Sequence, residues 1–320
     1  MSFIEVKDLK VHYPIRGGFF NKVIDHVYAV DGVSLTIEEG KTYGLVGESG
    51  SGKSTIGKAI IGLEKIKSGK IIYEGKEIDG KFRNRRSEYN RNVQMIFQDS
   101  LSSLNPKKRV IDLISEPLRN FENLTSDEEK RKVSELLEIV GMNREDIYKY
   151  PHEFSGGQRQ RLGIARAVAT KPKLIIADEP VSALDLSVQA QVLNYMKDIQ
   201  EQFGLSYLFI SHDLGVVKHM CDYMFIMYRG RFVETGTKND IYKNPEHFYT
   251  KRLIAAIPEV HPEKRLENKK RRIEIEKEYL KNEKKYYDEN GRVFDLKKLT
   301  DTHFVAIKNE IMKNNGKGGK

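Results

Sequence analysis

One cysteine, Cys221, is all that the 320 residues contain. A lone cysteine forms no intramolecular disulfide and supplies no cluster by itself, which agrees with a reducing compartment and gives no support to a multi-cysteine metal site. Cys221 reads as a small core side chain. Long apolar runs are also missing: the longest, such as residues 223–228 and 173–177, are strand-sized, far short of the ~20 residues that cross a bilayer. Residues 1–10 alternate apolar and charged side chains without the continuous apolar core of a secretion signal, so a cytosolic location is expected. The body of the chain has little excess of either charge sign. The formal charge is +9, but residues 261–320 hold 17 Lys/Arg against 11 Asp/Glu, leaving 38 against 35 for residues 1–260. The basic excess belongs to the tail, and no nucleic-acid partner is expected.

What is present is an alternation of strand and helix. Alternating runs over residues 3–13, 28–37 and 42–46, punctuated by Gly, Asp and Glu, predict three strands. The third feeds a glycine-rich loop and a helix over 53–62, followed by strands over 71–73 and 93–97. Residues 99–151 change to a helical pattern: Ser126 and Glu129 have capping-box spacing, Val133, Leu136, Leu137 and Val140 share a face, and Gly141 supplies a stop. A strand (174–177), a helix (188–202) and a strand (207–210) then restore the alternation of a parallel sheet, an α/β fold. A hairpin around Arg229 and Gly230 and a helix started by Pro245 and running to about Ile257 complete the body.

In residues 261–285, Leu266, Ile273 and Leu280, with Tyr287 beyond, recur every seven positions. A coiled-coil seam needs two apolar heptad positions, so a solvated helix resting on the body is the expectation. Residues 292–312 regain apolar character, enough to dock, and 314–320 read as a flexible end.

The chemistry sits in three places. Gly47, Glu48, Ser49, Gly50, Ser51, Gly52, Lys53 and Ser54, with Thr55 after them, follow a predicted strand and open a predicted helix, which is the context that makes G-x-x-x-x-G-K-S a phosphate-binding loop. Its backbone amides wrap phosphates and the helix N-terminus adds positive potential. Lys53 is suited to the β and γ phosphates, and Ser54 to Mg²⁺. An apolar strand then delivers Asp178 and Glu179 at its C-terminal end, Asp178 for the metal shell and Glu179 for an attacking water. Together they point to hydrolysis of a nucleoside triphosphate with Mg²⁺.

The third is Phe154, Ser155, Gly156, Gly157, Gln158, leading into a helix about twenty residues before Asp178. In that order behind a phosphate loop it resembles the signature motif of ABC ATPases, usually L-S-G-G-Q, with Phe154 as another bulky apolar residue in first place. The resemblance covers residues 1 to about 260. It implies a RecA-like P-loop NTPase core with an antiparallel β subdomain and an α-helical signature subdomain (about 99–160), followed by a charged extension over 261–320. Gln98 resembles the Q-loop glutamine, joining Mg²⁺ and the lytic water to the helical subdomain. Asp185, in Ser182-Ala183-Leu184-Asp185, resembles the D-loop, and His212 the switch histidine at the γ-phosphate. Tyr13 resembles the adenine-stacking aromatic, with strand packing as its other reading. Two such cassettes meet head to tail, so Ser155, Gly156, Gly157 and Gln158 are expected to complete the partner's ATP site.

Gln98-Asp99-Ser100-Leu101-Ser102-Ser103-Leu104-Asn105-Pro106, with Glu116-Pro117-Leu118, resembles the peptide and nickel importer branch, where this stretch contributes to the groove for a permease helix. The stretches 14–20 and 244–250 agree, and the nearest likeness is to the ATPases of oligopeptide permeases. This implies a heterodimer with a related ATPase on the cytoplasmic face of the membrane, peripheral to two transmembrane permeases and served by an extracellular substrate-binding protein. Residues after about Pro262 extend past the shared pattern and are assigned no activity. Dipeptide, nickel or glutathione import remain as alternatives, as do an exporter ATPase and, in another class, a soluble ABC ATPase acting on ribosomes or DNA.

Overall fold

The computed structural model describes residues 2–78, 87–99, 103–257 and 265–308. Ser100, Leu101, Ser102, Pro262 and residues 314–320, all used above, lie outside them.

Two sheets carry the fold. β1 (Ser2–Gly17) pairs with β2 (Lys22–Glu38) on one side and with β4 (Ser68–Tyr73) on the other, and β4 pairs with the short β5 (Lys76–Glu77), giving the antiparallel order β2-β1-β4-β5. The first two strands run further than the 3–13 and 28–37 expected. Their ladder continues through Pro14 opposite His26 and Gly17 opposite Lys22, whereas β4 stops pairing at Lys10. Beyond Lys10 no strand among the described residues pairs with the other edge of β1, so Pro14 deprives none of them of a donor.

The second sheet begins with β11 (Leu296–Lys298), β12 (Phe304–Ala306) and β10 (Arg231–Thr237) and continues in the order β9-β3-β8-β7-β6. Its centre, from β9 (Tyr223–Tyr228) through β3 (Thr42–Val46), β8 (Ser206–Ser211) and β7 (Leu174–Asp178) to β6 (Val93–Ile96), is parallel. Strands covered on both faces read as unbroken apolar runs, and β3, β7 and β8 are buried along their whole length. Alternate side chains divide between two cores. Leu174, Ile176, Leu208 and Ile210 pack with Ile56 and Ile60 of the helix Lys53–Ile60 and with β1 and β2, while Ile175, Ala177, Tyr207 and Phe209 join the core of the helical subdomain. Because the strands are parallel, the segments after β3, β6, β7 and β8 emerge at one rim.

The helical subdomain contains Val110–Phe121, Ser126–Ile139 and the signature helix Gly156–Val168, meeting through Leu113, Val133, Leu137 and Leu162. The expected capping box is one residue out of register. Thr125 is the N-cap, and its side chain and that of Glu128 close the box, because Thr125 is the residue held extended while Ser126 already has helical geometry. The Pro245 expectation also changes. One helix, Lys238–Lys243, ends at Asn244, and the next, Phe248–Ala256, is capped by His247, leaving Pro245 in the link. Cys221 is buried, which pushes its thiol up.

The helix Arg265–Asn282 is solvated, with Ile273 and Leu280 exposed, and rests on the body through Tyr279, whose ring stacks 4.2 Å from Phe248. The side chain of Leu266 is outside the described set. Tyr287 is buried and bridges Val293. β11 (Leu296–Lys298) and β12 (Phe304–Ala306) follow, and β12 pairs with β10 (Arg231–Thr237), so the tail covers an edge of the main sheet that would otherwise lie open. Among the described residues no helix is long and apolar enough to cross a membrane.

Candidate functional site

After β3 the chain turns tightly through Gly47–Gly52 into the helix Lys53–Ile60. Gly52 has φ +107°, and a Cβ there would stand 2.0 Å from the Ala29 carbonyl oxygen; at Gly47 it would stand 2.2 Å from that of Met227. Glycine is required at both because neighbouring backbones pass directly against the loop. Outside contacts hold the turn: the Gly230 amide donates to the Ser51 carbonyl at 3.0 Å, and the Glu48 amide donates to the Tyr249 hydroxyl at 2.8 Å.

The buried Lys53 ammonium donates to the carbonyls of Gly47 and Glu48, both at 2.8 Å. Burial lowers its pKa, and the carboxylates of Glu179, Asp178 and Glu48 oppose that shift. One residue on, the Ser54 hydroxyl donates to Asp178 Oδ1 at 2.7 Å. Asp178 is 3 % exposed; burial raises its pKa, and the Ser54 bond pulls it back down. Among the described residues this hydroxyl is the carboxylate's one hydrogen-bond partner, too little to compensate a buried charge, so the hydroxyl and carboxylate oxygens fit a hard divalent cation.

Glu179 follows β7 with φ +46°, a conformation fixed by its amide donating to the Ile210 carbonyl at 2.9 Å and its carbonyl accepting from the Ser182 hydroxyl. This turns the carboxylate toward two neighbours. The Gln98 amide donates to Oε2 at 2.9 Å, and His212 Nδ1 stands 3.1 Å from Oε1. A carboxylate held at both oxygens beside a buried lysine is suited to take a proton from water at a phosphate.

These groups border one cleft of about 760 Å³. Of the residues singled out from sequence, Ser49, Gly50, Gly52, Lys53, Ser54, Thr55, Gln98, Glu179 and His212 line it, and Gly47 and Asp178 lie buried directly behind. Tyr13 does not line the cleft. It stands at the rim, 38 % exposed, its phenol raised chiefly by burial and by Glu64 and lowered by the Thr55 hydroxyl, which puts it beside the phosphate-loop helix. Val27, Tyr28, Ala29 and Arg229 line the cleft without having been singled out for it. The hairpin turn at Arg229 and Gly230 was legible, but its seat on the phosphate loop was not.

Ser155, Gly156, Gly157, Gln158 and Asp185 are not among the cleft residues. Ser155 and Gln158 form a capping box at the start of the signature helix. Gly157 packs so closely on Val188 that a Cβ would stand 2.5 Å from its Cγ1, which locks the signature helix to the helix Leu186–Phe203 that Asp185 opens. Phe154 is buried, as a bulky apolar residue in that place should be.

Residues 30–182 match the family described as ABC transporter, and residues 233–289 the oligopeptide/dipeptide transporter C-terminal region. The chain is 57 % identical over 96 % of its length, and 96 % of the relative's, to the oligopeptide transport ATP-binding protein OppF of Lactococcus lactis. It is 45 % identical to the dipeptide transport ATP-binding protein DppF of Escherichia coli, over 83 % of this chain and 80 % of that one. A dimeric post-hydrolysis structure of the ATP-binding cassette MJ0796 bound to ADP and Pi superposes with a TM-score of 0.64 at 25 % identity, covering 73 % of this chain and 98 % of that one. The match over 96 % of the chain means that the tail, expected to extend past the shared pattern, largely has a counterpart in the relative.

Proposed function

The chain belongs to the ATP-binding subunits of ABC transporters, and from that premise we propose that it powers import of oligopeptides by hydrolysing ATP in the cleft lined by Lys53 and Glu179. The observation that carries this reading is the convergence of four strand ends on one cleft, where Lys53, the Ser54–Asp178 pair, Gln98, Glu179 and His212 stand together. The likeness to OppF extends through the tail and is higher than that to the dipeptide protein, which favours oligopeptides.

In this reading the loop of Gly47, Ser49, Gly50 and Gly52 wraps the phosphates, with Thr55 and Lys53 beside them, and Tyr13 supports the base from the rim. Mg²⁺, when bound, is held by Ser54 and Asp178 with Gln98 nearby, and supplies positive charge to the β and γ phosphates. Glu179 accepts a proton from the attacking water, Gln98 and His212 orient its carboxylate, and His212, which lines the cleft, senses the γ-phosphate. Ser155, Gly156, Gly157 and Gln158 act on the ATP of a partner cassette, and Asp185 belongs to the same interface. The working assembly is a heterodimer with a related ATPase on the cytoplasmic face of the membrane, with two permeases and an extracellular substrate-binding protein. That none of these signature residues lines this chain's own cleft supports that division.

The test is uptake by cells lacking this subunit and complemented with it. Oligopeptide uptake should return with the wild-type chain and not with Glu179→Gln. Restoration of dipeptide, nickel or glutathione uptake alone would move the assignment to a sister importer, and copurification with ribosomes or DNA instead of permeases would remove it from transport.

A further inference from the structure

The phosphate loop has a partner far along the chain, in the stretch 244–250, to which the motifs assign no place at the loop. The Glu48 amide donates to the hydroxyl of Tyr249, 201 positions along the chain, at 2.8 Å. Tyr249 is 1 % exposed, and its ring lies 4.6 Å from that of Tyr228, the residue before the Arg229–Gly230 turn that holds Ser51. Both external holds on the loop therefore come from one corner of the molecule.

Tyr249 is itself placed by the start of its helix, Phe248–Ala256. Its amide donates to Nδ1 of the capping residue His247 at 3.1 Å. Burial pushes the His247 imidazole down to about 3, so the ring is neutral and Nδ1 is free to accept. The amides of Glu246 and His247 donate in turn to the two carboxylate oxygens of Glu234, at 2.8 and 3.0 Å. Glu234 is fully buried, and a third donor among the described residues comes from the tail: His303 Nε2, 2.7 Å from Oε1. His303 directly precedes β12, whose Val305 is the register partner of Glu234 on β10. Tyr287 closes the far side, its ring 5.7 Å from that of Tyr228. A buried carboxylate needs this many donors for the fold alone. The unexplained part is that the chain of contacts ends on an amide of the phosphate loop.

We infer that Tyr249 is a positioning residue for the phosphate loop, and that the docked tail strand β12, holding the Tyr249 helix through His303 and Glu234, sets the loop's affinity for nucleotide. The inference rests on the ATP-site reading above. A loop amide left without its acceptor is free to leave the geometry that a phosphate needs, so the effect falls on any nucleotide whose phosphates the loop wraps.

The experiment is equilibrium binding of ATP and of ADP to the full chain, by titration calorimetry well below the melting temperature of every variant. Tyr249→Phe, which removes one oxygen and keeps the ring, should raise Kd for both nucleotides about three- to tenfold. His303→Leu should raise it similarly, and His303→Gln, which keeps an N–H donor for Glu234, should restore it. In the Tyr249→Phe background the His303→Leu effect should vanish, which separates transmission through Tyr249 from general destabilisation. Unchanged affinity in Tyr249→Phe overturns the inference, and so do simple additive effects of the two substitutions. A wild-type chain that binds no ATP overturns the ATP-site reading along with it.

Discussion

The Gln98 side-chain amide donates to Glu179 Oε2 at 2.9 Å, joining two residues 81 positions apart. Gln98 leaves β6 and Glu179 leaves β7, and the two strands are parallel neighbours with Ile96 in register with Ala177. Gln98 also opens the segment leading to the helical subdomain. A displacement of that subdomain that carried Gln98 with it would therefore bear directly on the carboxylate proposed as the general base.

Replacing Glu179 with Gln keeps the shape and most hydrogen bonding but removes the proton acceptor. Turnover should fall roughly 10²- to 10⁴-fold while ATP binding persists. Steady-state ATPase assays on the assembled transporter, alongside binding to the isolated chain, check both parts; undiminished hydrolysis would end the assignment.

Asp178 is a buried carboxylate whose pKa is raised chiefly by burial. A carboxyl with a folded-state pKa above the unfolded one contributes stability below the unfolded value, near pH 3.9, and loses it as pH rises through the folded value. At neutral pH its charge therefore costs stability until a cation arrives. Asp178→Asn should melt higher than wild type in chelator and lose the stabilisation that Mg²⁺ with ATP confers. A variant that melts lower in chelator and responds normally to Mg²⁺ contradicts the proposed metal site.

Two glycines with positive φ separate strain from contact. Gly52 has φ +107° and no room for a Cβ, whereas Gly18, at φ +73°, has open space around it. Gly52→Ala should cost more than about 1 kcal/mol and abolish ATP binding, while Gly18→Ala carries only the backbone strain and leaves binding intact. Chemical denaturation and nucleotide titration read the two effects separately.

The capping register of the helix Ser126–Ile139 is open to a direct comparison. Thr125→Ala removes the hydroxyl that accepts the Glu128 amide and should destabilise by about 1 kcal/mol, whereas Ser126→Ala, already inside the helix, should be near neutral. Equal urea midpoints for the two variants would show that the box contributes nothing.

His303 gives the tail a pH response. Its pKa is raised, first by the hydrogen bond to Glu234, with Asp240 and Glu246 also facing it and burial opposing. Its contribution is complete below about pH 6.5, the ordinary value, and is lost as pH rises through the raised one. Hydrogen exchange at Val305 should quicken across that window, and His303→Gln should flatten the response.

Much of the core was readable because its determinants are local. The apolar runs of β3, β7 and β8 announce strands covered on both faces, and the glycines before Lys53 announce a turn closing on a helix. The misplaced details were also local but finely balanced. Thr125 and Ser126 are both capping residues with a glutamate three positions on, and the extended backbone of Thr125 selects it. Pro245 has the residue type favoured at a helix start, yet His247 caps the helix, and the two amides before Phe248 are satisfied by Glu234 from another strand.

By itself the amino-acid sequence determined the chemical inventory: a phosphate loop ending in Lys53 and Ser54, two carboxylates at a strand end, and a Ser155-capped signature helix. Each is a short segment whose hydrogen bonds and turns close within a few residues. Only the tertiary structure decided that Gln98 and His212 grip the two oxygens of Glu179, that Tyr13 stands at the rim and not in the cleft, and that Tyr249 and the tail hold the phosphate loop. Those relations join residues up to 201 positions apart, and they follow from strand order and from the need of a buried carboxylate, Glu234, to gather its donors from wherever the chain returns.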